Sequence, residues 1–326
     1  MDISFADKCI FITGHTGFIG SWLTLSFIRA GAKVTGLYRS RQHASPIASF
    51  ILDHPLVTSY KGDIRDQQLL ETILKNHAPD YIIHLTAQAD QGQSQKAPLE
   101  TFDINVLGTI TLLEAIRKHA RPVTLLTAGS FPDPLQDEHI RDHSPYICSK
   151  HIAEEIIETY QYSYFDTLGI RSISLQLNNI IGGGDFNYNR IVPYCFYSWY
   201  HQKKVRLNHP GHIRRWSSVT DLVSEIKEIL YNSPAYNVHH RSFGLRKYTE
   251  LSVAELAAGL GLAFLKLNPG NQHWPLFTGD NIPLELINNF PPEPLPLIIN
   301  SAKWFDRLYK NDLNIVLFSM QILTNQ

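Results

Sequence analysis

A tyrosine and a lysine stand four residues apart in the segment Tyr-Ile-Cys-Ser-Lys, as Tyr146 and Lys150. Ser144 and Pro145 precede them and suit the start of a helix, on which residues four apart share one face. A lysine charge stabilises a phenolate, and bringing the pKa of a tyrosine from about 10 to about 7 takes about 4 kcal/mol. The pair can therefore act as acid or base toward a sugar or alcohol hydroxyl.

Three glycines follow the first predicted strand at the spacing GxxGxxG, as Gly14, Gly17 and Gly20. Between a strand and a helix, the first permits a tight turn, the second lets a pyrophosphate approach the main chain, and the third allows close helix packing. The helix N-terminus then faces the anion. The turn predicts a nicotinamide dinucleotide site, and its intervening residues His15, Thr16, Phe18 and Ile19 belong to the predicted site.

The end of the second predicted strand reads Tyr-Arg-Ser-Arg, with Arg39 and Arg41 and no acidic residue. An acid at this point binds the ribose 2′-hydroxyl, whereas arginine accommodates a 2′-phosphate. The sequence therefore favours NADP(H), with NAD(H) as the alternative. Asp63, after the third strand, is placed to accept a hydrogen bond from the adenine amine. Ile64, Leu85 and Ala87 complete the predicted cofactor site.

These residues fall on the turns of one repeating pattern of strands and helices. A strand, the glycine turn, a helix and a second strand within 40 residues form a βαβ unit, whose right-handed crossover implies a parallel sheet. We predict an α/β fold with a doubly wound parallel (Rossmann) sheet, a smaller C-terminal substrate lobe and a ligand above the carboxyl ends of the strands. The sheet domain is predicted over 1–178 plus about 215–245, and the lobe over 179–214 and 246–326.

Composition excludes several other classes of protein. The chain has 326 residues, with 29 Lys plus Arg against 30 Asp plus Glu, so it has no basic excess for binding nucleic acid. It has no apolar run of about 20 residues and no basic segment before an apolar one at its start, so we expect no membrane span, no signal peptide and a cytoplasmic protein. Cys9, Cys148 and Cys195 lack the spacing of a disulfide framework or a metal site.

Several phrases occur in order between about residue 7 and residue 230. They include Thr-Gly-His-Thr-Gly-Phe-Ile-Gly-Ser-Trp-Leu at 13–23, Gly-Asp-Ile-Arg-Asp at 62–66, Thr-Phe-Asp-Ile-Asn-Val-Leu-Gly at 101–108, Asn-Ile-Ile-Gly-Gly-Gly-Asp at 179–185 and Arg-Arg-Trp-Ser-Ser-Val-Thr-Asp at 214–221. With them the sequence resembles the extended short-chain dehydrogenases/reductases that modify nucleotide sugars, an NAD-dependent epimerase/dehydratase family, and within it the CDP-glucose 4,6-dehydratases. The resemblance implies a nucleotide-sugar substrate and a homodimer formed through the helix that starts at Tyr146.

The resemblance also implies the residues that bind the substrate. Asn179 stands where family members contact the diphosphate, and Arg190 and Arg214 match arginines that clamp it. A guanidinium suits that task because it binds phosphate in a bidentate manner. Gln88 is added to this predicted substrate set.

One segment departs from the pattern of the dehydratases. They carry a Ser or Thr after the fifth strand, followed by an Asp and a Glu or Lys that act at C5 and C6 of the sugar. Without gaps, Ala128, Gly129 and Ser130 take these places; with the Gly-Ser of family reductases as the anchor, Ser130 supplies the hydroxyl and Phe131-Pro132 replace the acids. Both alignments remove the dehydration groups. Two further departures are the Gln-Gly-Gln at 91–93 and Gln176, which stand where arginines are usual.

We therefore expect an NAD(P)-dependent oxidoreductase or epimerase that moves hydride at C4 of a nucleotide-activated hexose. Tyr146 is the predicted acid/base, Lys150 its electrostatic partner, and Ser130 or Thr127 the assisting hydroxyl. Two alternatives remain open. One is an active 4,6-dehydratase with displaced acids, drawn from Asp133, Asp137 and Glu138. The other is a catalytically weak nucleotide-binding sensor.

The two arginines after the second strand predict tighter binding of NADPH than of NADH. Losing one charge-assisted contact costs about 1.5–3 kcal/mol, which is roughly 10- to 150-fold in affinity. Arg39→Ala should therefore weaken NADPH by that factor and leave NADH nearly unchanged, as measured by fluorescence titration. Equal affinities of the unaltered protein for the two cofactors would contradict the prediction.

Overall fold

The computed structural model describes residues 3–40, 44–45, 47–130, 144–235, 240–269, 277–278 and 296–310, with the main chain alone at 130, 240–241 and 277–278. The chain divides into two compact units. The first comprises Met1–Ala44, Ala48–Leu177 and Val223–Leu245, and the second comprises Ser45–Ile47, Asn178–Leu222 and Arg246–Gln326. The substrate-binding role of the second unit stays a prediction.

The first unit contains a seven-stranded sheet in which all neighbouring strands are parallel. Its strands are β1 (Cys9–Thr13), β2 (Lys33–Tyr38), β3 (Val57–Lys61), β4 (Tyr81–His84), β5 (Thr124–Ser130), β6 (Arg171–Leu177) and β10 (His240–Gly244). Their order across the sheet is β10-β6-β5-β4-β1-β2-β3. The predicted doubly wound fold is confirmed, because this order runs outward in both directions from β1 and β4.

Helices connect the strands and cover the sheet. They are α1 (Phe18–Arg29), α2 (Ile47–Leu52), α3 (Gln67–His77), α4 (Gln91–Lys96), α5 (Pro98–Phe102), α6 (Gly108–His119), α7 (Pro145–Tyr160) and α9 (Val219–Asn232). A π turn, Asp103–Leu107, joins α5 to α6, and a second one, Gln161–Phe165, extends α7. Residues 98–119 therefore form one continuous helix that is underwound, with wider turns, at its middle.

The core of the first unit is aliphatic. Phe11, Ile82 and Leu125 project from neighbouring strands and pack with Leu70 and Leu112 from α3 and α6, all fully buried. Burying each such side chain contributes about 1.5–3 kcal/mol. The near-continuous apolar runs of these strands follow from burial on both faces of a parallel sheet.

The second unit contains short strands, and aromatic side chains pack between its helices. Its strands are β7 (Asn179–Ile181), β8 (Val205–Arg206), β9 (Ile213–Ser218), β11 (Thr249–Ser252) and β12 (Phe277–Thr278), and its helices are α8 (Ile191–Tyr200), α10 (Val253–Leu267) and α11 (Pro296–Tyr309). Phe196 stacks on Phe305 with ring centroids 5.1 Å apart. In the described part of the chain, no helix has the length and apolar character to cross a membrane.

Candidate active site

The glycine turn lies at the point where the strand order of the sheet reverses. Gly14 follows β1 with φ of +77°, and a Cβ on it would lie 3.4 Å from the Thr86 nitrogen that follows β4. A Cβ on Gly20 would lie 2.2 Å from the Gly14 carbonyl oxygen, so the helix can approach the turn only through glycine. Gly17 caps α1 without a side chain. The geometry fits a dinucleotide pyrophosphate at an uncapped helix N-terminus.

The side chain of His15 has a structural role in the first unit. Its ring is fully buried, packs where a Cβ of Gly36 would be, and has Nε2 2.9 Å from the Ser59 hydroxyl. Burial lowers the pKa of His15 to about 4, so the ring is neutral. Of the predicted turn residues, His15 can contact a cofactor through its main chain alone; Thr16 is also buried, while Phe18 and Ile19 are half-buried.

Charged residues surround the predicted adenosine end. Asp63 binds the Arg65 guanidinium in a bidentate manner at 2.8 and 2.9 Å, and this hydrogen bonding holds the pKa of the Asp63 carboxyl low. Arg39 lies 3.8 Å from Glu100 and is largely exposed. Ile64 is buried beneath Gly108, so it can meet an adenine through its main chain alone. Arg41 lies outside the described residues.

The predicted catalytic pair begins α7. The Ser144 hydroxyl accepts a hydrogen bond from the Ile147 N–H and Pro145 occupies the first turn, which fixes where the helix starts. Tyr146 and Lys150 are both half-buried. Burial lowers the pKa of Lys150 to about 8, and the nearby charge of Glu154 opposes that shift. Lys150 is therefore a cation at neutral pH that loses its charge as the pH rises through about 8.

A buried amide joins the loop after β4 to α7. Asn105, within the π turn, accepts from the Gln88 N–H at 2.7 Å and donates to the Gln88 carbonyl oxygen at 3.1 Å. It also donates to the Ser149 hydroxyl at 2.9 Å, which in turn donates to the Tyr146 carbonyl oxygen at 2.7 Å. Neither the contacts of the Asn105 amide nor the π turn was predicted from the sequence, although π turns are frequent at functional sites.

His84 lies at the end of β4 in a chain of hydroxyl groups. The Thr109 hydroxyl donates to the Asn105 carbonyl oxygen at 2.6 Å and therefore accepts from Nε2 of His84. Nδ1 then accepts from Thr13, whose oxygen also receives the Leu85 and Thr86 N–H groups. Burial, followed by the charge of Lys150, lowers the pKa of His84 to about 3. A neutral histidine thus fixes the carboxyl ends of β1 and β4.

Of the two predicted assisting hydroxyls, the structure describes that of Thr127 but not that of Ser130. Thr127 is buried and its hydroxyl donates to the Ile173 carbonyl oxygen of β6 at 3.4 Å. Its assisting role stays a prediction. Ser130 ends β5, and its side chain lies outside the described residues, as do Asp133, Asp137 and Glu138. Leu85 and Ala87 are half-buried beside the glycine turn. The Gln88 amide bonds both main-chain groups of Asp90.

In the second unit, one predicted substrate residue has an unpaired polar atom. Arg214 lies on β9, and its Nε atom is buried without a hydrogen-bond partner among the described residues. Asn179 on β7 donates to the Arg215 carbonyl oxygen at 3.2 Å, next to Arg214. Arg190 caps α8 and pairs with the buried Asp185 at 3.1 Å. A buried unpaired donor is costly, so an anionic ligand would supply what Arg214 lacks.

A family model described as the NAD dependent epimerase/dehydratase family matches residues 10–238. The chain belongs to this family. It is 30% identical over 256 residues to a CDP-glucose 4,6-dehydratase of Salmonella typhimurium, covering 73% of this chain and 71% of that protein. It is also 33% identical over 181 residues to a UDP-glucose 4-epimerase of Halalkalibacterium halodurans, covering 53% and 51%. The predicted enzyme of the extended short-chain dehydrogenase/reductase type is thereby confirmed.

Solved structures of low sequence identity share the fold of this family member. An epimerase from Methanothermobacter thermautotrophicus superposes with a TM-score of 0.73 at 21% identity, covering 96% of this chain and 95% of that one. A UDP-glucose 4-epimerase from Thermus thermophilus, solved in complex with NAD, gives 0.70 at 21% identity with 91% and 98% covered.

The position of Asn105 predicts that its loss is costly. Asn105→Ala leaves the half-buried Gln88 main chain and the buried Ser149 hydroxyl without three hydrogen bonds and should lower the free energy of unfolding by about 2–4 kcal/mol, measured by urea denaturation. Asn232→Ala is a matched control, since that exposed amide bonds Glu228 of its own helix; it should cost less than about 0.5 kcal/mol. Equal stability of the two variants would contradict the assignment.

Proposed function

We propose that this protein transfers hydride at C4 of a nucleotide-activated hexose and carries out 4-keto reduction or epimerisation without dehydration. When bound, the nicotinamide supplies the hydride donor or acceptor. Tyr146 exchanges the C4 hydroxyl proton, Lys150 stabilises its phenolate, and Ser130 or Thr127 is the assisting hydroxyl. The observation that carries this proposal is that the Gln176 amide occupies the space beside Gly129.

Gly129 is the residue that takes the place of the dehydratase aspartate in the ungapped alignment. It pairs with Gln176 across β5 and β6, and a Cβ on it would lie 2.8 Å from both Nε2 and Oε1 of the Gln176 amide. The glutamine therefore fills the volume that an acidic side chain at 129 would need. A C5–C6 elimination requires a positioned base and acid, and this position offers neither.

The ionisation of Lys150 supports a catalytic role for the pair. Burial has lowered its pKa to about 8, so it is charged below that pH and neutral above it. A phenolate at Tyr146 is stabilised only while Lys150 is charged. We expect activity that depends on a tyrosinate to fall as the pH rises through about 8.

NADP(H) is the proposed cofactor, with NAD(H) as the alternative. Arg39 supports it, because its guanidinium is exposed at the end of β2 and is held only by the 3.8 Å contact with Glu100 among its described ion pairs. An exposed pair of this kind is worth at most about 1 kcal/mol, so a 2′-phosphate can displace it. A nucleotide diphosphate sugar is the proposed substrate, supported by the unpaired Nε of Arg214.

A homodimer is proposed from the resemblance and is supported by exposed apolar residues on α5 and at the end of α7. Leu99 is 74% exposed and Tyr162 is 62% exposed, so both side chains are available to a partner. Light scattering on the purified protein should give twice the chain mass. A monomer at micromolar concentration would contradict the dimer.

The absence of dehydration is tested with a panel of CDP-, UDP- and GDP-linked hexoses and oxidised cofactor. We expect no 4-keto-6-deoxy product, since each missing acid or base forfeits roughly 10²–10⁴-fold in rate. A supplied 4-keto sugar nucleotide should instead be reduced with loss of NADPH absorbance, or C4 epimers should interconvert at constant absorbance. Tyr146→Phe is the control and should abolish turnover while cofactor affinity stays nearly unchanged.

Rapid loss of one water from the hexose, seen by mass spectrometry, would overturn the proposal. It would favour the dehydratase alternative, with acids from the segment outside the described residues. Cofactor binding without turnover of any sugar nucleotide, in both the unaltered protein and Tyr146→Phe, would favour the sensor.

A further inference from the structure

A third ionisable residue continues the line of the catalytic pair along α7. Glu154 follows Lys150 by four residues, as Lys150 follows Tyr146, so the three side chains lie on one face of the helix. Glu154 is half-buried. It also acts on Lys150, because its charge opposes the effect of burial on the lysine pKa. The proposed function gives Glu154 no role.

Neutral donors from the sheet hold the Glu154 carboxylate. The Ser174 hydroxyl donates to its Oε1 at 2.8 Å, and the Gln176 amide donates to the same oxygen. Ser242 on β10 lies 3.4 Å from the Gln176 nitrogen. Because none of these donors carries a charge, they fix the carboxylate without neutralising it.

The Gln176 amide is itself confined. It lies against Gly129, and its Oε1 atom is buried with no hydrogen-bond partner among the described residues. A buried acceptor without a partner is unfavourable, so its retention fits a requirement for the Nε2 donor at Glu154. An arginine at 176, the usual residue of the dehydratases, would instead form an ion pair with Glu154 and compete with Lys150.

We propose that Glu154 is a positioning residue for the catalytic pair, whose carboxylate, anchored by Ser174 and Gln176, keeps Lys150 protonated while Tyr146 exchanges protons. The inference rests on the proposed function for the role of Tyr146 alone. The proposal also accounts for glutamine, instead of the usual arginine, at position 176. As a neutral donor, Gln176 leaves the negative charge of Glu154 available to Lys150.

On the sheet side, the other groups that face this part of α7 are uncharged. His84 on β4 is neutral because burial lowers its pKa to about 3. On β5 and β6, the residues that share the sheet face with Ser174 include Leu125, Thr127, Gly129, Ser172 and Gln176, and none of these is charged. Glu154 is the described carboxylate whose charge raises the pKa of Lys150 against the effect of burial.

The test is an NMR titration of Lys150 in protein labelled with carbon-13 lysine. Lys150→Gln lacks one resonance and so assigns it. In the unaltered protein that resonance should titrate near pH 8. In Glu154→Gln its midpoint should fall by about one pH unit, as expected for the loss of a charge one helical turn away in a partly buried site.

Three variants make the result specific. Glu155→Gln removes the same charge from the next, exposed residue and should leave the Lys150 midpoint unchanged. Glu154→Asp keeps the negative charge, so its Lys150 midpoint should lie close to that of the unaltered protein. Gln176→Arg should lower the midpoint with Glu154 still present, and it replaces Glu154→Gln as the test if that variant does not fold.

A midpoint in Glu154→Gln within about 0.3 pH unit of the unaltered protein would overturn the inference. So would an equal shift in Glu155→Gln. Because the titration needs neither cofactor nor substrate, its outcome is separate from that of the proposed function. A shifted Lys150 in a protein inactive on every sugar nucleotide would refute the proposed function and leave the role of Glu154 standing.

Discussion

The site depends on one buried amide, that of Asn105. Its side chain satisfies both main-chain groups of Gln88 and donates to Ser149, so it fixes the loop after β4 and the first turns of α7 at once. The π turn that carries it is what brings the amide to this point between two elements. Such a fully satisfied network rigidifies a site, whereas a partly satisfied one is costly.

Much of this arrangement could be predicted from the sequence because its signals are local. The glycine turn, the start of α7 at Ser144-Pro145 and the six strands up to Leu177 follow from short patterns of glycine, caps and apolar runs. The seventh strand, His240–Gly244, could not be predicted, because its sequence His-Arg-Ser-Phe-Gly lacks the apolar run that marks the other strands. The π turn was missed because the widening of a helix depends on what the helix packs against, not on the spacing of its apolar residues. The burial of His15 and Thr127 likewise appears only once the strands are paired.

The pairing of β5 with β6 connects the two departures from the dehydratase pattern at Gly129 and Gln176, which lie far apart in the sequence. Side by side on β5 and β6, the glycine makes room for the glutamine amide and the glutamine holds Glu154. Loss of the glutamine amide alone would leave the Glu154 carboxylate to the Ser174 hydroxyl, and a side chain at 129 would have to displace that amide.

The central claim is that hydride moves at C4 without elimination, and the most direct test is the fate of a C4 deuterium. A nucleotide-linked hexose labelled at C4 is incubated with the protein and cofactor, and the label is located by NMR. The account predicts deuterium on C4 of the epimerised hexose, or on the nicotinamide if the enzyme is a reductase running in reverse. Deuterium at C6 of a product that has lost water would contradict it.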